Sequence, residues 1–321
     1  MANSKTRVNN LLPIYYIASS GNVKLALEKL HSLNIPILSK KEQLIQSKYI
    51  ERFENNNLAT QLTQIYENYW RLVLLQTLTM EEGYKYLFTN LTPIIKNLGG
   101  SINEFSESEY DRISAFLTEK LKELGFYSKI GVVSPHLNLM IWKKENSKNF
   151  TVNLGDSNIQ SIKVILMDNF ITLGWAAYAT FNKIHVGGWV SDNALYCVAS
   201  SYDLNSENFK VSFLVHEARH FADLKKFPNL SSIDLEYRAK LNELIVANKT
   251  LPKLLDKFFN EQKNDKSNPH SYASFLLINN LSNKTSSPLT PKNITKLPKK
   301  QIQKYASELL TDHTKQLNLS P

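Results

Sequence analysis

The chain has one cysteine in 321 residues, Cys197. An internal disulfide framework is therefore excluded, and cysteine usage leaves the redox compartment undecided. The setting Leu195-Tyr196-Cys197-Val198-Ala199 predicts a buried apolar role for it rather than that of a nucleophile or ligand. No apolar run approaches the length that spans a bilayer. The first apolar patch, Leu11 to Ala18, is short, holds Pro13 and two tyrosines and lacks a persuasive cleavage site. No signal peptide is expected in this chain, and an export signal removed from it stays open. No fixed-period repeat is found, which argues against an extended solenoid. Acidic residues are in deficit, 29 against 38 basic, for a net charge of +9. Part of that excess is local: Lys284 to Lys304 holds six lysines and no acidic residue. The run lacks arginine and is poor in aromatics, both of which a nucleic-acid surface usually offers. A solvated, Pro-interrupted connector is the expectation, and binding of nucleic acid or an anionic surface through 284–304 is the lesser reading.

What remains is an ordinary globular composition, 42% hydrophobic and 21% charged, long enough for one large domain or two modest ones. From about Asn22 to Gly125 the pattern is helical. Val23 to Leu30 is periodic, Pro36 breaks it, and Ser39-Lys40-Lys41-Glu42 is a capping box opening a helix to about Glu54. A further helix covers Leu58 to Leu78, Thr79-Met80-Glu81-Glu82 opens another, Pro93 and Gly99-Gly100 punctuate, and one more spans Ser108 to Leu124. The aromatics Tyr66, Tyr69, Trp70, Tyr84, Tyr86 and Phe88 recur at helical spacing and predict core packing. After Gly125, strands are predicted at Leu137–Trp142, Phe150–Leu154, Ile162–Met167, Trp175–Thr180, Lys183–Val186 and Ala194–Val198. Helices then dominate to the end. The expected class is α+β: a helical N-terminal lobe over 1–125, then a mostly antiparallel sheet and an active-site helix with C-terminal helices over 126–321.

The stretch that carries chemistry is Phe213-Leu214-Val215-His216-Glu217-Ala218-Arg219-His220-Phe221-Ala222-Asp223. It holds HExxH in an apolar helical frame. Residues four apart on a helix lie one above the other, so His216 and His220 can offer two imidazole nitrogens to one metal ion. Glu217 projects beside that ion, where it can take a proton from water. Arg219 points away, with Asp223 four residues on as a partner. Catalytic zinc takes three protein ligands, so a third must come from elsewhere. After the stop at Phe227-Pro228-Asn229-Leu230, a helix starts at Ser231-Ser232-Ile233-Asp234 and carries Glu236 in its first turns. Ala239 is small enough for close approach to the first helix. Asp234 and Glu243 compete with Glu236, but Asp234 suits a cap and Glu243, two turns on, suits solvent. Asp223 or Asp234 are also candidates to accept a proton from the far nitrogen of a ligand histidine. A donor for a developing oxyanion is sought in Tyr237, beside Glu236, and in His270, with Tyr272, where an apolar helix begins. His31, His136, His185 and His313 have no such context and read as structural or exposed.

The segment from His216 to Leu244 resembles the gluzincin, thermolysin-like branch of zinc metallopeptidases, whose two histidines share a helix while a glutamate comes from a following one. Matched onto that pattern, His216, His220 and Glu236 are zinc ligands and Glu217 is the general base. The metzincin pattern fails, since Asp223 stands where it needs Gly and Lys226 where it needs His. Arg219 between Glu217 and His220, and a short gap from His220 to Glu236, depart from the resembled enzymes. Those enzymes bind the substrate main chain on an edge strand above the zinc. Gly187, Gly188 and Trp189 are candidates for that strand or its rim, against a tight turn with a core Trp. The resemblance implies a zinc-dependent metallohydrolase acting on peptide or protein. A catalytically silent zincin-like binding or regulatory protein is the alternative. Asn- and Lys-rich composition suggests an AT-rich, bacterial genome.

Overall fold

Residues 11–32, 57–156, 158–191, 194–285, 288–294 and 296–319 are described by the computed structural model. The class is α+β, and the chain divides into two compact units, 1–144 with 167–186 and 145–166 with 187–321. The boundary expected at Gly125 is thus not where the chain divides. The strands that follow the N-terminal helices share their core: Leu137, Leu139, Ile141 and Trp175 belong to one buried cluster with residues of the preceding helices.

The first unit opens with α1 (Leu12–Ser19) and α2 (Val23–Ser32). The capping box expected at Ser39 and its helix lie outside the described residues. Helix α3 (Leu58–Leu74) begins where the Asn57 side chain accepts from the Thr60 N–H at 3.1 Å. Its Tyr66, Tyr69 and Trp70 are fully buried, and Trp70 Nε1 donates to the Leu137 carbonyl at 2.8 Å. Helix α4 (Met80–Asn97) starts with both halves of the Thr79–Glu82 capping box in place. It continues through Pro93, because Leu91 and Ile95 on either side are buried and their packing outweighs the lost backbone hydrogen bond. Helix α5 (Glu107–Glu123) is capped by Ser106. Strand β1 (Tyr127–Val133) was not foreseen. It pairs antiparallel with the start of β2 (His136–Asn153), Tyr127 opposite Trp142 and Val133 opposite His136. The end of β3 (Ile159–Leu173) completes this unit's part of the sheet, in the order β1-β2-β3.

The strand expected at Trp175–Thr180 is instead a short helix, α6 (Trp175–Ala179). Gly174, at φ +92°, turns the chain against the Asn138 side chain, whose Oδ1 accepts from the Trp175 N–H at 2.9 Å and so caps the new helix. Lys183–Val186 is a turn rather than a strand. Phe181 and Asn182 both take positive φ, and Thr180 Oγ1 accepts from the Ile184 N–H at 2.9 Å.

In the second unit, β2, β3, β5 (Ala194–Val198) and β4 (Gly188–Ser191) are neighbours in that order, with β4 at the edge. The β4–β5 pair is antiparallel, Gly188 opposite Cys197 and Trp189 opposite Tyr196. Inward residues of these strands, Val152, Ile162, Val164, Leu195 and Cys197, form a core with Leu154, Phe209, Phe213 and Ala218. Helices α7 (His216–Lys226), α8 (Ser232–Val246), α9 (Leu251–Glu261), α10 (Pro269–Thr285) and α11 (Lys299–Leu319) follow. Helix α8 contacts α7, α10 and α11, and every side chain from Glu236 to Leu244 is buried. Among the described residues no helix is long and apolar enough to cross a membrane.

Candidate metal centre

Ser206 caps a short helical turn, its Oγ accepting from the Phe209 N–H at 3.1 Å, and Lys210–Val215 continues as a π-helix that runs straight into α7. The wider turn carries Val211, Phe213, Leu214 and Val215 into the core and delivers His216 as the first residue of regular α-helix. Such π segments are rare and cluster at functional sites. Helix α7 then sets His216 and His220 on the face toward α8, each 9% exposed.

His216 Nε2 and His220 Nε2 are 3.0 Å apart. The Glu236 carboxylate closes the triangle, Oε1 at 3.2 Å from His220 Nε2 and Oε2 at 3.5 Å from His216 Nε2. Two nitrogen ligands at about 2.0–2.1 Å from a tetrahedral ion lie roughly 3.3 Å apart, near the 3.0 Å between the two imidazole nitrogens. Ala239, wholly buried one turn after Glu236, allows α8 to come this close to α7. Among the described residues these three side chains form the group able to hold a metal ion. His31, Glu81 and Glu82 are not part of that group.

The far nitrogen of His216 is also engaged. His216 Nδ1 is 2.7 Å from Glu243 Oε1, and Glu243 is 1% exposed. This corrects the expectation that Glu243 is solvated. It lies seven residues after Glu236, two helical turns along the same face, and that spacing was the available signal. A carboxylate there accepts Nδ1–H, and Nε2 is the ring nitrogen turned toward His220 and Glu236. Neither Asp223 nor Asp234 takes this role. Asp223 is held by two arginines: Arg219 at 2.9 and 2.7 Å, and Arg238 at 2.7 and 3.0 Å. Asp234 faces Ser231 Oγ at 2.5 Å and His313 Nε2 at 3.2 Å. The Arg219–Asp223 pair was anticipated; Arg238, fully buried, was not, and it ties α8 to α7.

The electrostatics follow from burial and pairing. Burial opposes the charged form of His216, but the carboxylates of Glu236 and Glu243 outweigh it and hold the ring up at about 10. Burial would raise Glu236, yet the facing imidazoles of His216, His220 and His270 keep it far below the usual carboxylate range. Glu243 is lowered against its own burial by His216 and then by the charges of Lys257 and Lys240. The pocket thus keeps two buried carboxylates ionised around a place for positive charge.

Glu217 is half-buried, and its charge is felt on the sheet side of α7. Burial first, and then Glu217, push the Cys197 thiol of β5 up to about 12. Cys197 is an inert core residue, as expected. Helix α7 contacts the edge strand β4. Gly188 belongs to that strand and Gly187 directly precedes it; Trp189 stacks on Tyr196 with ring centroids 5.4 Å apart and planes within 4°. The glycines serve close approach: a Cβ on Gly188 would collide with the Tyr196 carbonyl and the Phe213 ring, and one on Gly187 would lie 2.7 Å from the Tyr202 hydroxyl.

Of the two proposed oxyanion donors, Tyr237 is turned elsewhere. Its hydroxyl accepts from Asn280 Nδ2 at 2.9 Å, its ring lies edge-on to His313, and it is 4% exposed within the helical core. One residue after Glu236, its side chain is rotated by about 100° around α8, which explains the different surroundings. His270 does reach the cluster, but through Glu236: its Nδ1 is 2.8 Å from Glu236 Oε2, and its side chain is 68% exposed. Comparisons with protein-family models, with curated proteins and with solved structures gave no match to this chain.

Proposed function

We propose that the chain is a zinc-dependent metallohydrolase, and specifically a peptidase. The observation that carries this reading is the convergence of His216, His220 and Glu236 from two helices at separations suited to one tetrahedral ion, with Glu217 next to the first ligand. Two imidazoles and a carboxylate are a donor set that suits zinc. Bound zinc would supply Lewis acidity, polarising a carbonyl and acidifying water. Glu217 accepts the proton released by the attacking water and passes it to the leaving amine. Glu243 holds His216 in the tautomer whose Nε2 is free. Strand β4 is the last in the sheet order, a position at which an extended peptide can add as a further strand. A peptide or protein substrate is inferred from that edge together with the resemblance to gluzincins.

A silent zinc-holding scaffold has no use for the intact Glu217, so the hydrolase reading is preferred. Binding of nucleic acid or an anionic surface is also less favoured, since Lys284 is paired with Glu308 at 3.2 Å. Elemental analysis of protein purified without chelator tests the metal: one zinc per chain is expected in wild type and a large loss in His216→Ala. Glu217→Gln should keep the zinc and lower peptide hydrolysis by several orders of magnitude, because an amide cannot accept the proton. Stoichiometric zinc with equal turnover in both proteins would remove Glu217 from the mechanism.

A further inference from the structure

Three residues that flank Glu236 on α8 meet the same turn of α11. His313 Nε2 is 3.2 Å from Asp234 Oδ1, its ring lies edge-on to Tyr237, and its Nδ1 is 3.4 Å from Arg238 Nη1. The next residue, Thr314, accepts from that same Arg238 nitrogen through Oγ1 at 2.9 Å. Donor chemistry fixes the direction of each bond. A guanidinium only donates, so His313 Nδ1 carries a lone pair and its Nε2–H points to Asp234. Burial first, and then the Arg238 charge, keep His313 below its ordinary value, in keeping with that neutral ring. Thr314 gives its own proton to the Leu310 carbonyl at 2.8 Å, which leaves the hydroxyl oxygen to receive Arg238. The other side of the Arg238 fork is bidentate to Asp223 of α7, Nε at 2.7 Å and Nη2 at 3.0 Å.

We propose that this turn of α11 positions the metal centre: His313 and Thr314 hold Arg238, Arg238 holds Asp223, and together they set the rotation of α8 that aims Glu236 at His216 and His220. This rests on the zinc reading above. Arg238 leaves α8 about 200° round from Glu236. A guanidinium held by α7 on one side and by α11 on the other opposes rotation of α8 about its axis. That rotation is the motion that would withdraw the Glu236 carboxylate from His220 Nε2, now 3.2 Å away. Arg238 suits the task because it is fully buried and its planar fork holds several partners in one fixed geometry. Asp223, three residues after His220, is 1% exposed and is gripped a second time by Arg219, so the α7 end of the linkage is also firm.

Truncating Arg238 would leave the buried Asp223 short of a partner and endanger folding, so the test is made at Thr314, which is half-buried. Zinc affinity of the full-length protein is measured by competition with a chelator of known affinity, and melting of the metal-free protein confirms that each variant is folded. Thr314→Val keeps the shape and removes the acceptor. Its zinc affinity is expected to fall by roughly 2–30-fold, the range for residues coupled to a site they do not touch. Thr314→Ser retains the hydroxyl and should bind zinc as wild type does. Ile302, buried on the same helix, has an apolar side chain. Ile302→Val should lower the melting temperature and leave zinc affinity unchanged, which separates positioning from a general loss of stability. Wild-type affinity in Thr314→Val, equal weakening in Thr314→Val and Thr314→Ser, or equal weakening in Thr314→Val and Ile302→Val would overturn the proposal while leaving the zinc site standing. A wild-type protein that takes up no zinc would overturn both.

Discussion

At the scale of single residues, the candidate centre depends on carboxylates placed where each can do only one thing. Glu236 faces three histidines, Glu243 faces the back of one, and Asp223 is enclosed by two arginines. A buried charge without such a partner would be strongly destabilising, so each pairing also specifies how α7 and α8 meet. Glu243 is the clearest case. Replacing it with Ala should weaken zinc binding by roughly 10–100-fold, because His216 loses the partner that orients its ring. Glu243→Gln, which retains a carbonyl oxygen for Nδ1–H, should fall between that variant and wild type. Competition titrations against a chelator of known affinity measure the series, and three identical affinities would remove Glu243 from the site.

At the scale of elements, the π-helix and the edge strand are linked through Phe213. This residue lies in the widened turn before His216, and its ring packs where a Cβ on Gly188 would have to go. Gly188→Ala should therefore push β4 away from the start of α7. A cost of about 1–3 kcal/mol is expected, as for other overpacked core positions. The same substitution should lower zinc retention, since His216 directly follows the displaced segment. Thermal melting with and without zinc separates the two effects. An unchanged melting temperature would mean that β4 yields freely and that the glycine is not required by packing. Helix α8 shows a related constraint: Lys240 is buried because Glu261 receives it at 2.6 Å and the Phe258 ring lies 4.6 Å away.

At the scale of the whole molecule, the two units differ in how they should respond to acid. In the first, His136 is 3% exposed, its ring lies edge-on to Trp175 at 4.9 Å, and neither ring nitrogen has a hydrogen-bond partner among the described residues. Burial lowers it to about 4 from an ordinary value of 6.5. Between these values the unfolded chain binds a proton that the folded chain refuses. The stability held in the neutral ring is thus complete above about pH 6.5 and is lost as pH falls toward 4, by up to about 3 kcal/mol. Urea unfolding at pH 7.5 and pH 5 should show this loss in wild type and a smaller one in His136→Leu. Equal losses in the two proteins would assign the acid sensitivity to other groups.

The periodicity of the apolar residues was enough to place most helices, and local cap chemistry set their starts at Asn57, Thr79, Ser106 and Ser231. The HExxH spacing likewise implied two imidazoles on one helical face, because that relation is internal to a helix and needs no partner. Glu236 was reachable by resemblance and by its place early in the next helix. The remaining features depend on which segments meet. Trp175–Ala179 became helical because Asn138, distant in sequence, caps it. Gly125 did not divide the chain, because the strands beyond it complete the core of the helices before it. Glu243 and Arg238 have ordinary sequence neighbours. Their roles exist only once α8 is enclosed by α7, α10 and α11, where a charge deprived of water must find a partner: Glu243 meets His216, and Arg238 meets Asp223.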